Sequence, residues 1–300
     1  MAKWHYESGE LRSETLLAHV DPLSAPIKGW AHTGLRVADV KNGIELPSDN
    51  NERVILIASG KSVTITYEDQ EVILSGRESV FHGPSDVLYL PINTAAKIEG
   101  DARVIIGEAP ARNKKKPQIM RKDHVPVLLR GAGRESRQIH NFCMPDTMDA
   151  DRLICVEGIV PAGNWSGVPA HKHDRSIPGK ESALEEIYYF EAAVTKTSKA
   201  GGTTEPFGYF RGYASDQREF ELDSAVHHGD VVLVPHGYHG PVAAAPGYDL
   251  YFFNVMAGPD EKREWLVTDD PAHAWIRETW NGQDVDSRLP YTQKAQKEGI

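Results

Sequence analysis

The sequence predicts an all-β protein made of two similar halves. Short runs of alternating apolar residues recur along the chain, and turn residues separate them at close intervals, which is the pattern of a β-sandwich or barrel. A motif also repeats, because Asp86-Val-Leu-Tyr-Leu-Pro91 matches Asp230-Val-Val-Leu-Val-Pro235 in residue type and order. Such an echo is expected of a duplicated module.

The predicted strands fall into two groups along the chain. The first group covers residues 35–40, 53–58, 62–67, 71–74, 87–90 and 103–107, and the second covers 153–160, 186–193, 207–213, 231–234 and 250–256. We therefore divide the chain into residues 1–112 and 113–300. Residues 114–116 are all lysine and we interpret them as part of a solvated linker. Residues 271–280 begin with Pro271 after two aspartates, which predicts one short C-terminal helix.

Composition excludes several classes of function. The net charge of −10 argues against general nucleic-acid binding. No apolar run reaches the ~18 residues that suggest a membrane span, and the N-terminus lacks the apolar core of a signal peptide. The two cysteines, Cys143 and Cys155, are too few for a disulfide framework, so we expect a reduced, cytoplasmic protein.

Three histidines and one glutamate predict a site for one divalent metal ion. His171 and His173 are two residues apart, so in a strand they share a face and lie ~6.6–6.8 Å apart. Glu186 opens an apolar strand, and His239 follows a turn that contains Pro235. Imidazole and carboxylate together suit zinc, manganese, iron, cobalt or nickel. Of these ions, we expect zinc or manganese to be the one bound.

These residues resemble the two sequence signatures of the cupin barrels. The second signature, Gly, five residues, Pro-x-Gly and then His, is matched from Gly229 to His239 with one residue missing after Gly237. The first signature, His-x-His followed by Glu, is matched only if residues 174–185 are an inserted loop. This insertion keeps Glu181 and Glu185 open as alternatives to Glu186.

The resemblance extends to one family, the 5-deoxy-glucuronate isomerases of myo-inositol catabolism, which are related to the 4-deoxy-5-ketouronate isomerases. It rests mainly on residues 167–174, 184–190, 235–239 and 254–259. It implies a bicupin, two jelly-roll barrels in tandem, whose first barrel carries no metal. It also implies that the metal ligands are His171, His173, Glu186 and His239, whereas His236 is left out.

The family resemblance implies an aldose–ketose isomerase. It would convert 5-deoxy-D-glucuronate to 5-dehydro-2-deoxy-D-gluconate with the help of a divalent ion that stabilises the oxyanion of the transition state. The expected partner is a small anionic sugar, with no nucleic acid and no membrane. We also expect a symmetric homo-oligomer.

The sequence is less specific about the residues that touch the substrate. Tyr188 lies two residues after Glu186 on the presumed inner face and is the candidate proton carrier. Arg211 and Tyr213 share a face of another strand, and Arg211 could bind the substrate carboxylate through two hydrogen bonds. Arg134, Arg137 and Arg175 compete with Arg211 for that role.

Two other functions remain open at this point. The same ligand set supports oxygen chemistry, so a cupin dioxygenase that uses iron or nickel is one alternative. A non-catalytic ligand-binding or storage bicupin is the other, although such proteins normally lack a complete ligand set. Oxygen consumption separates the isomerase from the dioxygenase.

Overall fold

The protein is built almost entirely from strands. The computed structural model describes residues 3–196, 200, 203–216 and 218–292. The strands of the first half are β1 His5–Tyr6, β2 Ala18–Val20, β3 Gly34–Asp39, β4 Ile44–Leu46, β5 Asn51–Tyr67, β6 Gln70–Arg77, β7 Val87–Leu90, β8 Ala96–Glu99 and β9 Ala102–Pro110. The all-β prediction is confirmed.

The second half continues this pattern with shorter strands around the site. Its strands are β10 Gln118–Met120, β11 Val127–Arg130, β12 Arg137–Cys143, β13 Ile154–Val160, β14 Trp165–Ser166, β15 His171–Lys172, β16 Asp174–Ile177, β17 Glu181–Ala183, β18 Glu185–Val194, β19 Phe207–Tyr213, β20 Glu221–His227, β21 Val231–Val234, β22 Tyr238–Ala244, β23 Tyr248–Ala257 and β24 Thr268–Asp269. Three short 3-10 helices cover Lys122–His124, Gly133–Glu135 and Ala274–Trp280. Among the described residues, none of the helices has the length and apolar character needed to cross a bilayer.

The strands form two barrels. A nine-stranded sheet with the central order β10-β7-β5-β9-β3-β2 makes the first barrel, to which β4, β6 and β8 also belong. In the second barrel a seven-stranded sheet, β1-β21-β18-β23-β13-β12-β11, and a six-stranded sheet, β20-β19-β22-β15-β24 with β14, enclose a common core. β16 and β17 form a separate hairpin.

The seven-stranded sheet is buried on both faces. Along β18, Tyr188 and Phe190 pack inside the second barrel, whereas Ile187 and Tyr189 pack in a core shared with the first barrel. Because successive residues of a strand point to opposite faces, each face has its own buried partner. This is why residues 187–190 of β18 form an uninterrupted apolar run. The contact with the first barrel fixes the strand, so its inner face can also carry site residues.

Two short strands cross the predicted boundary between residues 112 and 113. β1, from the start of the chain, pairs with β21 and places His5 opposite Val232 in the second barrel. β10, which follows the boundary, pairs with β7 and places Gln118 opposite Tyr89 in the first barrel. Each half therefore contributes a strand to the sheet of the other half, and the division itself stays a prediction.

Two details differ from the sequence prediction. The predicted strands 53–58 and 62–67 are parts of one strand, β5, which changes register after Ile57 and passes Gly60 at a φ of +123°. The C-terminal helix exists, but it is a 3-10 helix that begins at Ala274 and not at Pro271. The preceding residue, His273, makes no side-chain capping hydrogen bond, so the first turn lacks the cap that favours an α-helix.

A buried ion pair links the two barrels. Arg77 of β6 forms two hydrogen bonds with Glu157 of β13, with N–O distances of 2.6 and 2.7 Å. His140 and Tyr251 each lie 2.6 Å from the same carboxylate. Burial alone would raise the pKa of Glu157, but Arg77 and His140 hold it far below its ordinary value.

We expect Glu157→Ala to lower the free energy of unfolding by about 3–5 kcal/mol, because it leaves the Arg77 guanidinium buried without its partner. Glu99→Ala is the control, since Glu99 forms an exposed pair with Lys97 worth at most about 1 kcal/mol. Denaturant unfolding measures both values. Equal, small effects of the two substitutions would show that the inter-barrel pair contributes little.

Candidate metal centre and substrate cavity

Three histidines come together inside the second barrel. His171 of β15 lies directly opposite His239 of β22 in the antiparallel pair, and His173 follows two residues later. The ring centroids are 4.6 Å apart for His171 and His239, and 4.8 Å apart for His173 and His239. One ring nitrogen from each residue lies within 4.8 Å of the other two, so the three imidazoles could hold one metal ion.

Glu186 reaches the histidines from the opposite sheet. Its Oε2 lies 3.0 Å from Nε2 of His173 and 3.0 Å from Nε2 of His239. Burial alone would raise the pKa of the Glu186 carboxyl, but the contacts with His173 and His239 lower it. Glu186 is therefore ionised, as a metal ligand must be.

The backbone fixes which nitrogen of each imidazole faces Glu186. Nδ1 of His173 lies 3.2 Å from the carbonyl of Leu184, and Nδ1 of His239 lies 3.3 Å from the carbonyl of Gly237. A carbonyl can only accept, so each Nδ1 carries the proton. In a neutral ring, Nε2 then presents a lone pair, as metal-binding histidines do.

This arrangement requires a positive charge between the side chains. A lone pair on Nε2 and a carboxylate oxygen are both acceptors, and at 3.0 Å they repel unless a proton or a cation lies between them. Nε2 of His239 is buried and has no hydrogen-bond partner. Burial, together with the charges of the neighbouring His239 and His173, also lowers the pKa of His171 well below its ordinary value. A neutral His171 suits metal binding, so the residues fit a divalent ion.

The segment between His173 and Glu186 is folded and not an open loop. It contains the hairpin of β16 and β17, which begins with Asp174. Nζ of Lys172 lies 2.8 Å from the carboxylate of Asp174 and 2.6 Å from that of Glu181. Asp174 also accepts the backbone N–H of Gly237 at 2.9 Å, which fixes the turn whose carbonyl orients His239.

The structure distinguishes Glu186 from the two alternative glutamates. Glu181 is occupied by Lys172. Glu185 accepts the backbone N–H groups of Ala31 and His32 at 2.9 and 2.7 Å, so it points away from the histidines towards the first half of the chain. Of the three, only Glu186 has a carboxylate oxygen within 3.0 Å of two of the histidines.

A cavity of about 240 Å³ opens beside the metal centre. His171, Glu186 and Tyr188 are among the residues that line it. Burial, followed by the charge of Glu186, raises the pKa of Tyr188 well above its ordinary value. The apolar part of the wall includes Ile139, Val156, Val168, Val242, Phe252 and Val267.

Three arginines also line this cavity, namely Arg130, Arg137 and Arg277. Arg130 lies directly opposite Arg137 in the pair of β11 and β12. Arg277 is neutralised by Asp269 at 2.7 Å. Among the described residues, neither Arg130 nor Arg137 has a carboxylate within 4.0 Å. Burial and the charges of Arg130 and Arg277 lower the pKa of Arg137 to about 10, so the wall around Arg130 and Arg137 favours an anion.

Comparison with known proteins places the chain in a family. Residues 4–276 match the model of the KduI/IolB family. The chain belongs to the KduI/IolB family. The 5-deoxy-glucuronate isomerase of Geobacillus thermodenitrificans is 34% identical over 93% of this chain and 97% of its own length, and that of Geobacillus kaustophilus is 36% identical over 84% and 88%. The chain is accordingly an isomerase.

Solved structures agree with this assignment. The crystal structure of an IolB-like protein from Salmonella typhimurium LT2 superposes with a TM-score of 0.79 at 34% identity and covers 92% of this chain and 99% of that one. An oxalate decarboxylase of Bacillus subtilis gives a TM-score of 0.57 at 12% identity, with 90% and 80% coverage, and supports the fold alone. With the two barrels, these likenesses confirm the predicted bicupin.

Not every residue predicted for the site lies in the cavity of this KduI/IolB-family chain. Arg211 and Tyr213 line a second groove, which shares only residues 167–169 with the cavity. Arg211 is half-exposed and lies 3.6 Å from Asp223, and the Tyr213 hydroxyl bonds to Asp270. Arg211 and Tyr213 lie outside because side chains alternate along β19. Phe210 lies on the inner face of that strand, so the odd-numbered residues point outwards.

Several residues of the cavity were missed by the sequence reasoning. Asn254 alternates with Phe252 and Met256 on the inner face of β23. A polar residue within this apolar strand could have indicated a position in the site. Asn141 lies on β12, which the sequence analysis did not assign as a strand. Arg130 and Arg277 reach the cavity through tertiary packing and carry no local signal. Arg137 had been one of the competing arginines.

Proposed function

We propose that this isomerase interconverts 5-deoxy-D-glucuronate and 5-dehydro-2-deoxy-D-gluconate in myo-inositol breakdown, with one divalent ion held by His171, His173, Glu186 and His239. The observation that supports the proposal is the contact between Nε2 of His239 and Oε2 of Glu186, two acceptors 3.0 Å apart. They lie beside a cavity in which Arg130 and Arg137 have no carboxylate partner among the described residues. The names of the curated relatives supply the substrate.

The cavity offers each end of such a substrate a suitable environment. The sugar acid carries a carboxylate at one end and an aldehyde with a neighbouring hydroxyl at the other. Arg137 can bind the carboxylate through two parallel hydrogen bonds, and Arg130 opposite it adds a second positive charge. The aldehyde end then points to the histidines and Glu186. This orientation fixes the reacting carbons, which can contribute roughly 7–11 kcal/mol when the geometry is good.

The reaction moves hydrogen between adjacent carbons. One C–H bond breaks at the hydroxyl-bearing carbon, one forms at the former aldehyde carbon, and the hydroxyl proton passes to the former aldehyde oxygen, so that substrate and product are isomers. A bound divalent ion supplies Lewis-acid stabilisation of the developing negative charge. Tyr188 lies beside Glu186 in the cavity wall, and its Oη is our candidate carrier of the proton.

We also propose that the protein is cytoplasmic and forms a homo-oligomer. Cys143 and Cys155 are both free and buried, which is consistent with a reducing compartment. β11 is an edge strand of its sheet, and its residues Val127, Leu128 and Leu129 are each exposed by 38–39%. Such an apolar edge suits pairing with a second copy of the chain.

The metal centre gives the first prediction for this proposal. We expect His239→Ala to lower bound metal and turnover together while the melting temperature changes little, because the side chain acts as a ligand. His236→Ala is the control in the same turn, since His236 contacts the Glu219 carbonyl and not the other histidines. Elemental analysis and a rate assay measure both. A His239→Ala protein that loses its metal but keeps its full rate would contradict the mechanism.

The arginines give the second prediction. Arg137→Met keeps the side-chain stem but removes the charge, so we expect KM for the anionic sugar to rise by roughly ten- to a hundredfold, which corresponds to about 1.5–3 kcal/mol for a charged hydrogen bond. Arg211→Met should leave KM unchanged, because Arg211 lies in the second groove. A raised KM for Arg211→Met with an unchanged KM for Arg137→Met would instead show that Arg211 binds the substrate carboxylate.

The third prediction separates the isomerase from an oxygen-dependent enzyme with the same ligands. We expect purified, metal-loaded protein to convert 5-deoxy-glucuronate completely under anaerobic conditions without any redox partner, because the reaction transfers no electrons to an acceptor. Product analysis by NMR with an oxygen electrode measures this. Product formation that requires oxygen would favour the dioxygenase alternative.

A further inference from the structure

The cavity wall contains buried polar atoms that have no partner. The structure describes seven buried side-chain nitrogen or oxygen atoms without a hydrogen bond. Three of these, Oδ1 of Asn141, Nδ2 of Asn254 and Nε1 of Trp265, belong to residues that line the cavity. The Asn254 amide acts on the neighbouring Tyr188 hydroxyl and opposes the rise of its pKa, but Nδ2 does not reach it with hydrogen-bond geometry. We call these three residues the polar wall. A fourth unpartnered atom is Nε2 of His239, so more than half of the seven lie at this site.

The two asparagines of the polar wall are almost fully buried. Asn254 is exposed by 3% and Asn141 by 8%. A buried amide without a partner destabilises the folded protein, because it has lost its hydrogen bonds to water. Amides at such positions are therefore expected to bind water in the free enzyme or polar groups of a ligand. For comparison, the buried Asn164 donates from Nδ2 to Ser136 and Asp286, both at 3.0 Å.

Strand positions place the two asparagines of the polar wall between Arg137 and Glu186. Asn254 of β23 lies directly opposite Tyr188 of β18 on one side and Val156 of β13 on the other. Glu186 lies opposite Met256, which is one inward-facing position further along β23. Asn141 lies on β12, four residues after Arg137. The two asparagines therefore lie between the Arg137 side of the cavity and the metal centre.

From this placement we infer that the polar wall is a hydroxyl-binding subsite, which reads the hydroxyl groups of a polyhydroxy acid held between Arg137 and the metal centre. The inference rests on the proposed function for the orientation of the ligand. A hydroxyl group can both donate and accept. It can donate to Oδ1 of Asn141 and accept from Nδ2 of Asn254 or Nε1 of Trp265. An acid without hydroxyl groups would leave these atoms buried and unpaired, so the site should reject it.

The test compares apolar substitutions of similar size at partnered and unpartnered asparagines. We expect Asn254→Leu and Asn141→Leu each to lower kcat/KM for 5-deoxy-glucuronate about tenfold, with bound metal unchanged and the melting temperature unchanged or raised. Asn164→Leu should instead lower the melting temperature, because it removes two hydrogen bonds. If Asn254→Leu and Asn141→Leu behave like Asn164→Leu, or keep full kcat/KM, the inference is wrong.

Substrate analogues supply a second readout that a structural role would not change. Analogues of the sugar acid that each lack one hydroxyl are compared with the parent for the wild type and for Asn254→Leu. We expect one analogue to react about tenfold more slowly than the parent with the wild type, but no more slowly with the variant, because the partner is already gone. Equal discrimination by both proteins would overturn the inference alone. A wild type that does not convert 5-deoxy-glucuronate would overturn the proposed function instead.

Discussion

The close approach of imidazole nitrogens and a carboxylate oxygen is the constraint on which the rest of the site depends. Nε2 of His173 and Nε2 of His239 both lie 3.0 Å from the same oxygen of Glu186, and backbone carbonyls hold the protons on the other ring nitrogens. Neutral rings would repel the carboxylate in this arrangement. The fold therefore builds a position that only a positive charge can occupy favourably.

The burial of the seven-stranded sheet on both faces is what allows such a site to exist. One face of β18 packs against the first barrel through Ile187 and Tyr189, which fixes the strand without using its inner face. The inner face can then carry Glu186 and Tyr188 among apolar neighbours. The first barrel has an apolar core of its own, with residues such as Ile55, Ile65 and Leu88. It contributes to the site by supporting this sheet.

The sequence predicted the parts of the site that depend on local patterns. His171 and His173 could be placed together because a spacing of two has one meaning in a strand, and the turn before His239 carried its own signal. The phase of β19 could not be predicted in the same way. Its inner face holds Gly208 and Gly212, where a larger side chain would clash with Leu250 and Phe220. Alternation alone therefore gave no reason to place Arg211 outside. The exchange of β1 and β10 between the barrels depends on long-range pairing and has no local signal.

An anomalous difference map from crystals of metal-loaded protein, recorded at the absorption edge of the metal, would locate the ion directly. We predict one strong peak inside the second barrel, with Nε2 of His173 and His239, a ring nitrogen of His171 and a carboxylate oxygen of Glu186 as its protein ligands. A map with no peak among these four side chains, or with its main peak elsewhere on the protein, would show that they do not form the metal site.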